Sequence, residues 1–143
     1  MTQLSPHFTL EEMIFSDTAA RMKLSNDAPL DVVANLKRTA NGLESVRQLL
    51  NSNAIHINSG YRSPALNAAV HGQVNSQHLT GQAVDFTCST YGTPEQIVRF
   101  IAKSSINFDQ LICEFGLWVH ISFSDHPRRQ VLTIDKFGTR PFV

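Results

Sequence analysis

Between Pro29 and Leu50 the apolar residues Leu30, Val33, Leu36, Ala40, Leu43, Val46 and Leu50 recur in steps of three and four, the spacing that turns one face of a long helix toward a core. A shorter helix is predicted to start at Leu10. Thr9 and Glu12 have the spacing of a capping box, and Phe8 and Met13 flank it where a hydrophobic staple closes. The period then shortens to two, with Ile55 and Ile57 alternating with His56 and Asn58, as in a half-buried strand. Ser63 and Pro64 read as the cap and first position of a short helix with Leu66, Ala69 and Val70 on one face. Residues 72–81 are polar and predict a loop. Ala83 to Thr87 predicts a second strand, and Thr93-Pro94-Glu95-Gln96 caps a helix carrying Ile97, Val98 and Ile101. Asp109 to Phe115 and Leu117 to Phe123 read as two strands turning at Gly116, and Val131 to Asp135 as a last, peripheral strand. Helices followed by hairpin strands predict an α+β fold with helices packed on a small antiparallel sheet. One domain is expected, helical over residues 1–52 and sheet-bearing over 53–143.

Composition narrows the function classes. At 143 residues and 15.9 kDa there is room for one compact unit, and 42% apolar residues suffice to build its core. Twelve Lys and Arg balance twelve Asp and Glu, so no electrostatic footprint for nucleic acid or an anionic membrane is visible. Cys88 and Cys113 form no Cys-x-x-Cys pair and are expected to be free thiols. Met1-Thr2-Gln3-Leu4-Ser5-Pro6 lacks the pattern of a secretory signal, and no run reaches the roughly 18 apolar residues of a membrane span. The expectation is a monomer, cytoplasmic as synthesised.

Strand parity picks out the chemistry. Alternation in the strand from Leu117 to Phe123 puts Trp118, His120 and Ser122 opposite Leu117, Val119, Ile121 and Phe123. Ala83, Asp85 and Thr87 likewise share a face opposite Val84 and Phe86. If the loop between the hairpin strands is the odd-numbered Phe115-Gly116-Leu117, Glu114 faces Trp118 and lies diagonal to His120, at about 7 to 8 Å between backbones. An even loop would put Glu114 on the wrong face. His78, seven residues before Asp85 in the polar stretch, completes a possible set of two imidazoles and one carboxylate. Such a set makes an open zinc site with a fourth position for water, whose pKa the ion lowers to roughly 7, and Glu114 has the reach to move the proton. Spacing alone leaves plain structural alternatives for each residue. His78 also reads as an ordinary loop histidine, Asp85 as a cap or salt-bridge partner, and His120 as a satisfied strand residue. The other histidines, His7, His71 and His126, read as solvated, and His56 as a residue that could line a cleft. Phe86, Phe115 and Phe123 are expected in the core.

Three blocks carry a resemblance that favours the metal. Asn58-Ser59-Gly60-Tyr61-Arg62-Ser63-Pro64, then Ser76-Gln77-His78-Leu79-Thr80-Gly81-Gln82-Ala83-Val84-Asp85-Phe86, then Trp118-Val119-His120 together resemble the zinc D-Ala-D-Ala carboxypeptidases of the lysostaphin, carboxypeptidase and sonic hedgehog superfamily. The middle block matches the pattern Ser-x-His-x-x-Gly-x-Ala-x-Asp at every defined position. The helical first third more loosely resembles the phage and prophage branch. The resemblance implies one zinc ion per chain held by His78, Asp85 and His120, substrate held by Arg62 and Ser76, and peptidoglycan stem peptides as substrate. Tyr61 and Trp118 are expected to wall the cleft. The implied activity is either D-Ala-D-Ala carboxypeptidase or endolysin-type endopeptidase.

The chain departs from many of these relatives at one position. Three residues before the last histidine, where they carry the catalytic acid, stands Leu117. Glu114, six residues before His120, is the substitute, in a context similar to the hedgehog-type branch. That branch keeps such a site without being established as peptidases, which leaves open a second function class, a zinc-binding structural or virion-associated domain. For a wall enzyme without an export signal, the resemblance implies release through a membrane lesion made by another phage protein. A host enzyme recycling wall fragments in the cytoplasm is the other compartment that fits.

Overall fold

The computed structural model describes residues 1–143. Two short strands, β1 (Gln3–Ser5) and β2 (Phe8–Thr9), pair as a ribbon too short for any periodicity to reveal. Helix α1 (Leu10–Ile14) begins at the expected capping box, with the Glu12 backbone N–H donating to the Thr9 hydroxyl at 3.2 Å and the Thr9 N–H donating to the Glu12 carboxylate at 2.8 Å. Phe8 and Met13 are both buried beside it. Helix α2 (Asp17–Met22) was not legible, because Ala19 is its only buried residue.

The long helix α3 (Leu30–Leu49) buries Val32, Leu36, Thr39, Ala40, Leu43 and Val46. Leu30, expected at the start of this face, is 89% exposed, and Val33 is only half-buried. Two consecutive steps of three, from Leu36 back to Leu30, rotate the position by about 120° off the face, whereas a step of four reaches Val32. The strand β3 (His56–Ser59) follows as expected. In helix α4 (Pro64–Ala69), capped by Ser63, the buried residues are Leu66 and Asn67, not the expected trio of Leu66, Ala69 and Val70. The polar stretch expected as loop contains a 3-10 turn over Gln77–Thr80, capped by Ser76 and ended by Gly81 at φ 77°.

Strand β4 (Ala83–Thr87), helix α5 (Pro94–Ala102) with its Thr93/Gln96 capping box, and the hairpin β5 (Gln110–Glu114) and β6 (Trp118–Ser122) stand where the pattern predicts them. Beyond them β7 (Gln130–Asp135) is not the last strand, since β8 (Gly138–Pro141) pairs with it and forms the exposed edge. The sheet order is β3-β4-β6-β5-β7-β8. Its pairs are antiparallel except β5 with β7, so the sheet is mixed where an antiparallel one was expected. The parallel pair arises because residues 123–129 cross the start of β5, with Arg129 N–H donating to the Phe108 carbonyl and Gln130 N–H to that of Asp109.

One face of the sheet, with Val84, Phe86, Leu111, Cys113, Val119 and Ile121, belongs to the same buried cluster as the apolar faces of α3 and α5. The fold is thus α+β, as expected, with helices against a single sheet. Phe86 is in that core and Phe123 is partly buried against it, but Phe115 is half-exposed because it occupies the hairpin turn at φ 56°. Both cysteines are buried free thiols. No helix is long and apolar enough to cross a membrane.

The corrected helix face has a direct stability consequence. Leu36→Ala is expected to lower the unfolding free energy by about 2–5 kcal/mol, and Leu30→Ala by less than about 0.5 kcal/mol. Urea unfolding of the two variants checks the contrast.

Candidate metal centre

The face of the sheet away from the helices carries the polar cluster. The hairpin loop is the three-residue Phe115-Gly116-Leu117, with Phe115 and Gly116 both at positive φ, and Glu114 pairs with Trp118. That odd parity puts Ile112, Glu114, Trp118 and His120 on one face. Across β6 and β4, Asp85 and His120 are direct partners, and His120 Nδ1 lies 3.0 Å from Asp85 Oδ1. The 3-10 turn delivers His78 from outside the sheet, with Nε2 3.3 Å from the same Asp85 oxygen. The two imidazole rings meet edge-on at 5.2 Å. One ligand atom from each of His78, Asp85 and His120 lies within 4.8 Å of the others, and all three residues are buried.

The donor set suits a cation. The Gly60 carbonyl, 2.7 Å from His78 Nδ1, can only accept a hydrogen bond, so it places the His78 proton on Nδ1 and leaves the Nε2 lone pair facing Asp85. Two acceptors then confront each other at 3.3 Å, and a positive ion between them relieves the repulsion. Two imidazoles and one carboxylate are the ligands of an open zinc site. Burial works to raise the Asp85 carboxyl, but protonated imidazoles at His78 and His120, carrying the positive charge an ion would otherwise supply, outweigh it and hold the group below the usual carboxylate range. Glu114 Oε1 is 3.8 Å from His120 Nδ1, and burial, reinforced by the Asp85 charge, pushes its carboxyl upward.

Arg62 sits beside the cluster on a fixed guanidinium. Its Nε donates to Ser59 Oγ at 3.3 Å, Nη1 to Asn67 Oδ1 at 3.2 Å, and Nη2 lies 3.5 Å from Asp85 Oδ2. Asn67 in turn donates to the Gln73 carbonyl at 2.9 Å, tying Arg62 to the loop at the cleft rim. Asn67 is the buried polar residue next to Leu66 in a helix whose pattern predicts a small apolar face. Ser76 lines the same cleft while its hydroxyl accepts from the His78 N–H at 3.2 Å.

These residues open into a cleft of about 810 Å³ lined by Arg62, Ser76, Glu114, Trp118 and Arg128 around the three buried ligands. Tyr61, expected to wall it, does not. Its side chain is part of the hydrophobic core, because its N–H donates to the Met13 carbonyl and its carbonyl accepts from Asn26, which orient the segment inward. His56 and His126 are exposed and do not line the cleft, His71 lies on its rim, and His7 pairs with Glu44 at 2.7 Å.

A second network, unread in the sequence, borders the cleft. Asp109 is buried and accepts from the Arg128 backbone N–H at 3.0 Å, Arg128 Nε at 2.7 Å, Arg128 Nη2 at 3.0 Å and Gln77 Nε2 at 2.8 Å. Those donors, the guanidinium first, hold its carboxyl down at about 2. Gln77 immediately precedes His78, so Asp109 steadies the turn that carries a ligand. Nothing but the fold brings residues 77, 109 and 128 together, and no local motif announces them.

A His-Asp-His donor set on the open face of a sheet, with the half-buried Glu114 carboxylate beside it in a cleft, is the donor chemistry of a metallopeptidase. Residues 6–122 match the family model described as Peptidase M15. The match spans most of the chain, and the protein belongs to that zinc-dependent family. No curated protein gives a significant match.

Two outcomes test the supports of the cluster. A Cβ at Gly60 would collide with the Met13 carbonyl, so Gly60→Ala displaces the acceptor that orients His78. Zinc affinity is expected to fall by roughly 10–100-fold, read by competition with a chromophoric chelator. Asp109→Asn is expected to cost about 1.5–3 kcal/mol near neutrality, since its bonds are to a charged group. Because the folded-state pKa of Asp109 lies near 2, below its ordinary value of 3.8, its contribution is present above that ordinary value and disappears as pH falls toward 2. Urea unfolding of both proteins across that range should show the gap narrowing as acid is added.

Proposed function

We propose that this protein is a zinc peptidase that cleaves peptide bonds in the stem peptides of bacterial peptidoglycan, as a carboxypeptidase or an endolysin-type endopeptidase of phage origin. The observation that carries the hydrolytic reading is the placement of the Glu114 carboxylate, 3.8 Å from His120 Nδ1, on the wall of the cleft that the His78, Asp85 and His120 donors open into. The stem-peptide reading is supported by the resemblance of the Arg62, His78 and His120 blocks to the zinc D-Ala-D-Ala carboxypeptidases.

Zinc, held by His78, Asp85 and His120, supplies Lewis acidity toward a carbonyl and toward water. The chain's own groups do the rest. Glu114 takes a proton from water and returns it to the leaving amine, and a carboxyl raised by burial is better matched to both transfers than a solvated one. Arg62, held by Ser59 and Asn67, orients a substrate carbonyl or carboxylate without paying its own ordering entropy at each turnover. Trp118 lines the cleft beside Glu114, its partner across the hairpin. Leu117 cannot take over from Glu114, because its side chain has no proton to give or take, and it stands in the hairpin loop, 66% exposed. Glu114, reached by turning the hairpin, shares the face of His120.

Glu114→Gln is expected to bind one zinc per chain as wild type does and to lose roughly 10²–10⁴ in turnover. Release of new amine ends from purified muropeptides, with and without chelator, measures it. Chelator-sensitive release by wild type supports the enzyme, while bound zinc with no release would contradict it and leave a zinc-binding structural domain.

A further inference from the structure

We propose that Arg128 is a specificity-determining residue that takes a substrate carboxylate at a second subsite of the cleft, a proposal that rests on the peptidase reading above. Arg128 lines the cleft together with Arg62, yet it is not part of the donor cluster. Its side chain is 55% exposed, whereas that of Asp109 beneath it is 4% exposed. All the accepting capacity that Asp109 turns toward its neighbours is engaged by Arg128 and Gln77. A ligand in the cleft therefore meets N–H donors and not the acid that holds them. The fork uses Nε and Nη2 of Arg128, and the two donors of Nη1 make no hydrogen bond within the protein. A guanidinium held this way is pre-oriented, which suits it to a planar carboxylate more than a mobile lysine would be.

Sheet topology sets the spacing of the two subsites. Arg62 touches Asp85 on β4 and Arg128 touches Asp109 at the start of β5, with β6 between them. Ile112 is level with His120 and Asp85, so Asp109 lies two strands across and three residues along. At strand spacings of 4.7–4.9 Å and rises of about 3.3 Å per residue, the backbone positions of Asp85 and Asp109 are on the order of 14 Å apart, which sets the scale for the two guanidinium sites. That distance is three or four residues of extended peptide. The substrate class is therefore a peptide whose free carboxylate stands three or four residues from the group bound at Arg62.

The test uses pairs of synthetic stem peptides that differ only in carrying a carboxylate or a carboxamide, moved one residue at a time from the cleaved bond. Binding to the zinc-loaded protein is read from the fluorescence of Trp118, the single tryptophan of the chain, which lines the cleft. Wild type is expected to bind the carboxylate form about tenfold more tightly when it lies three or four residues away, Arg128→Gln to bind the two forms within about twofold, and Arg128→Lys to fall between, in line with a lost charge-assisted pair. A preference of wild-type size in Arg128→Gln, or no preference in wild type at that separation, overturns the proposal. Circular dichroism checks that each variant folds. If Arg128→Gln does not, wild type decides alone, since a preference confined to that separation supports the subsite and its absence removes it. Preferential binding with no cleavage of any peptide would sink the peptidase reading and keep the subsite, whereas cleavage without preference would do the reverse.

Discussion

A single buried carboxylate organises this protein. Asp85 projects from an otherwise apolar strand whose neighbours Val84 and Phe86 are buried in the core, and it meets His78, His120 and Arg62 around its two oxygens. An acid placed so deep is costly unless it is paired and hydrogen-bonded. The partners come from three places: the next strand, a 3-10 turn held against the sheet, and the segment after β3. Two of them bring further support, His78 through the Gly60 carbonyl and through Gln77 and Asp109, which hold its turn, and Arg62 through Ser59 and Asn67. The two faces of one sheet thus divide the work, with the apolar face holding the strands in register and the register holding the donors together.

Much of this was legible because strand parity is a strict rule. Alternation alone put Asp85 and His120 off the core faces of their strands, and the three-residue loop at Gly116 put Glu114 on the same side. Capping boxes at Thr9 and Thr93 marked their helices because each is a local hydrogen-bond pattern written in four residues. Four elements escaped for equally physical reasons. β1, β2 and β8 are too short or too exposed to show a period, and α2 buries one residue. The parallel pairing of β7 with β5 depends on where the chain crosses after β6, which no periodicity encodes.

The site divides along the same line. Residues whose role follows from strand position or from a contiguous motif could be named in advance. Tyr61 shows the limit of motif reading, for it lies within the block that carries Arg62, yet its side chain belongs to the core. Gln77, Asp109 and Arg128 were missed because their partners lie across the fold, up to 32 residues away in the case of Gln77 and Asp109. Polar residues of this kind give no signal until the backbone brings them together.

X-ray absorption at the zinc edge, on protein loaded with one equivalent of zinc, tests the central claim most directly. The expected result is a first shell of nitrogen and oxygen only, at about 2.0–2.2 Å, with scattering from two imidazoles that is lost together with tight binding in Asp85→Asn and His120→Ala. Sulfur in that shell, or zinc bound equally well by those two variants, would contradict the account.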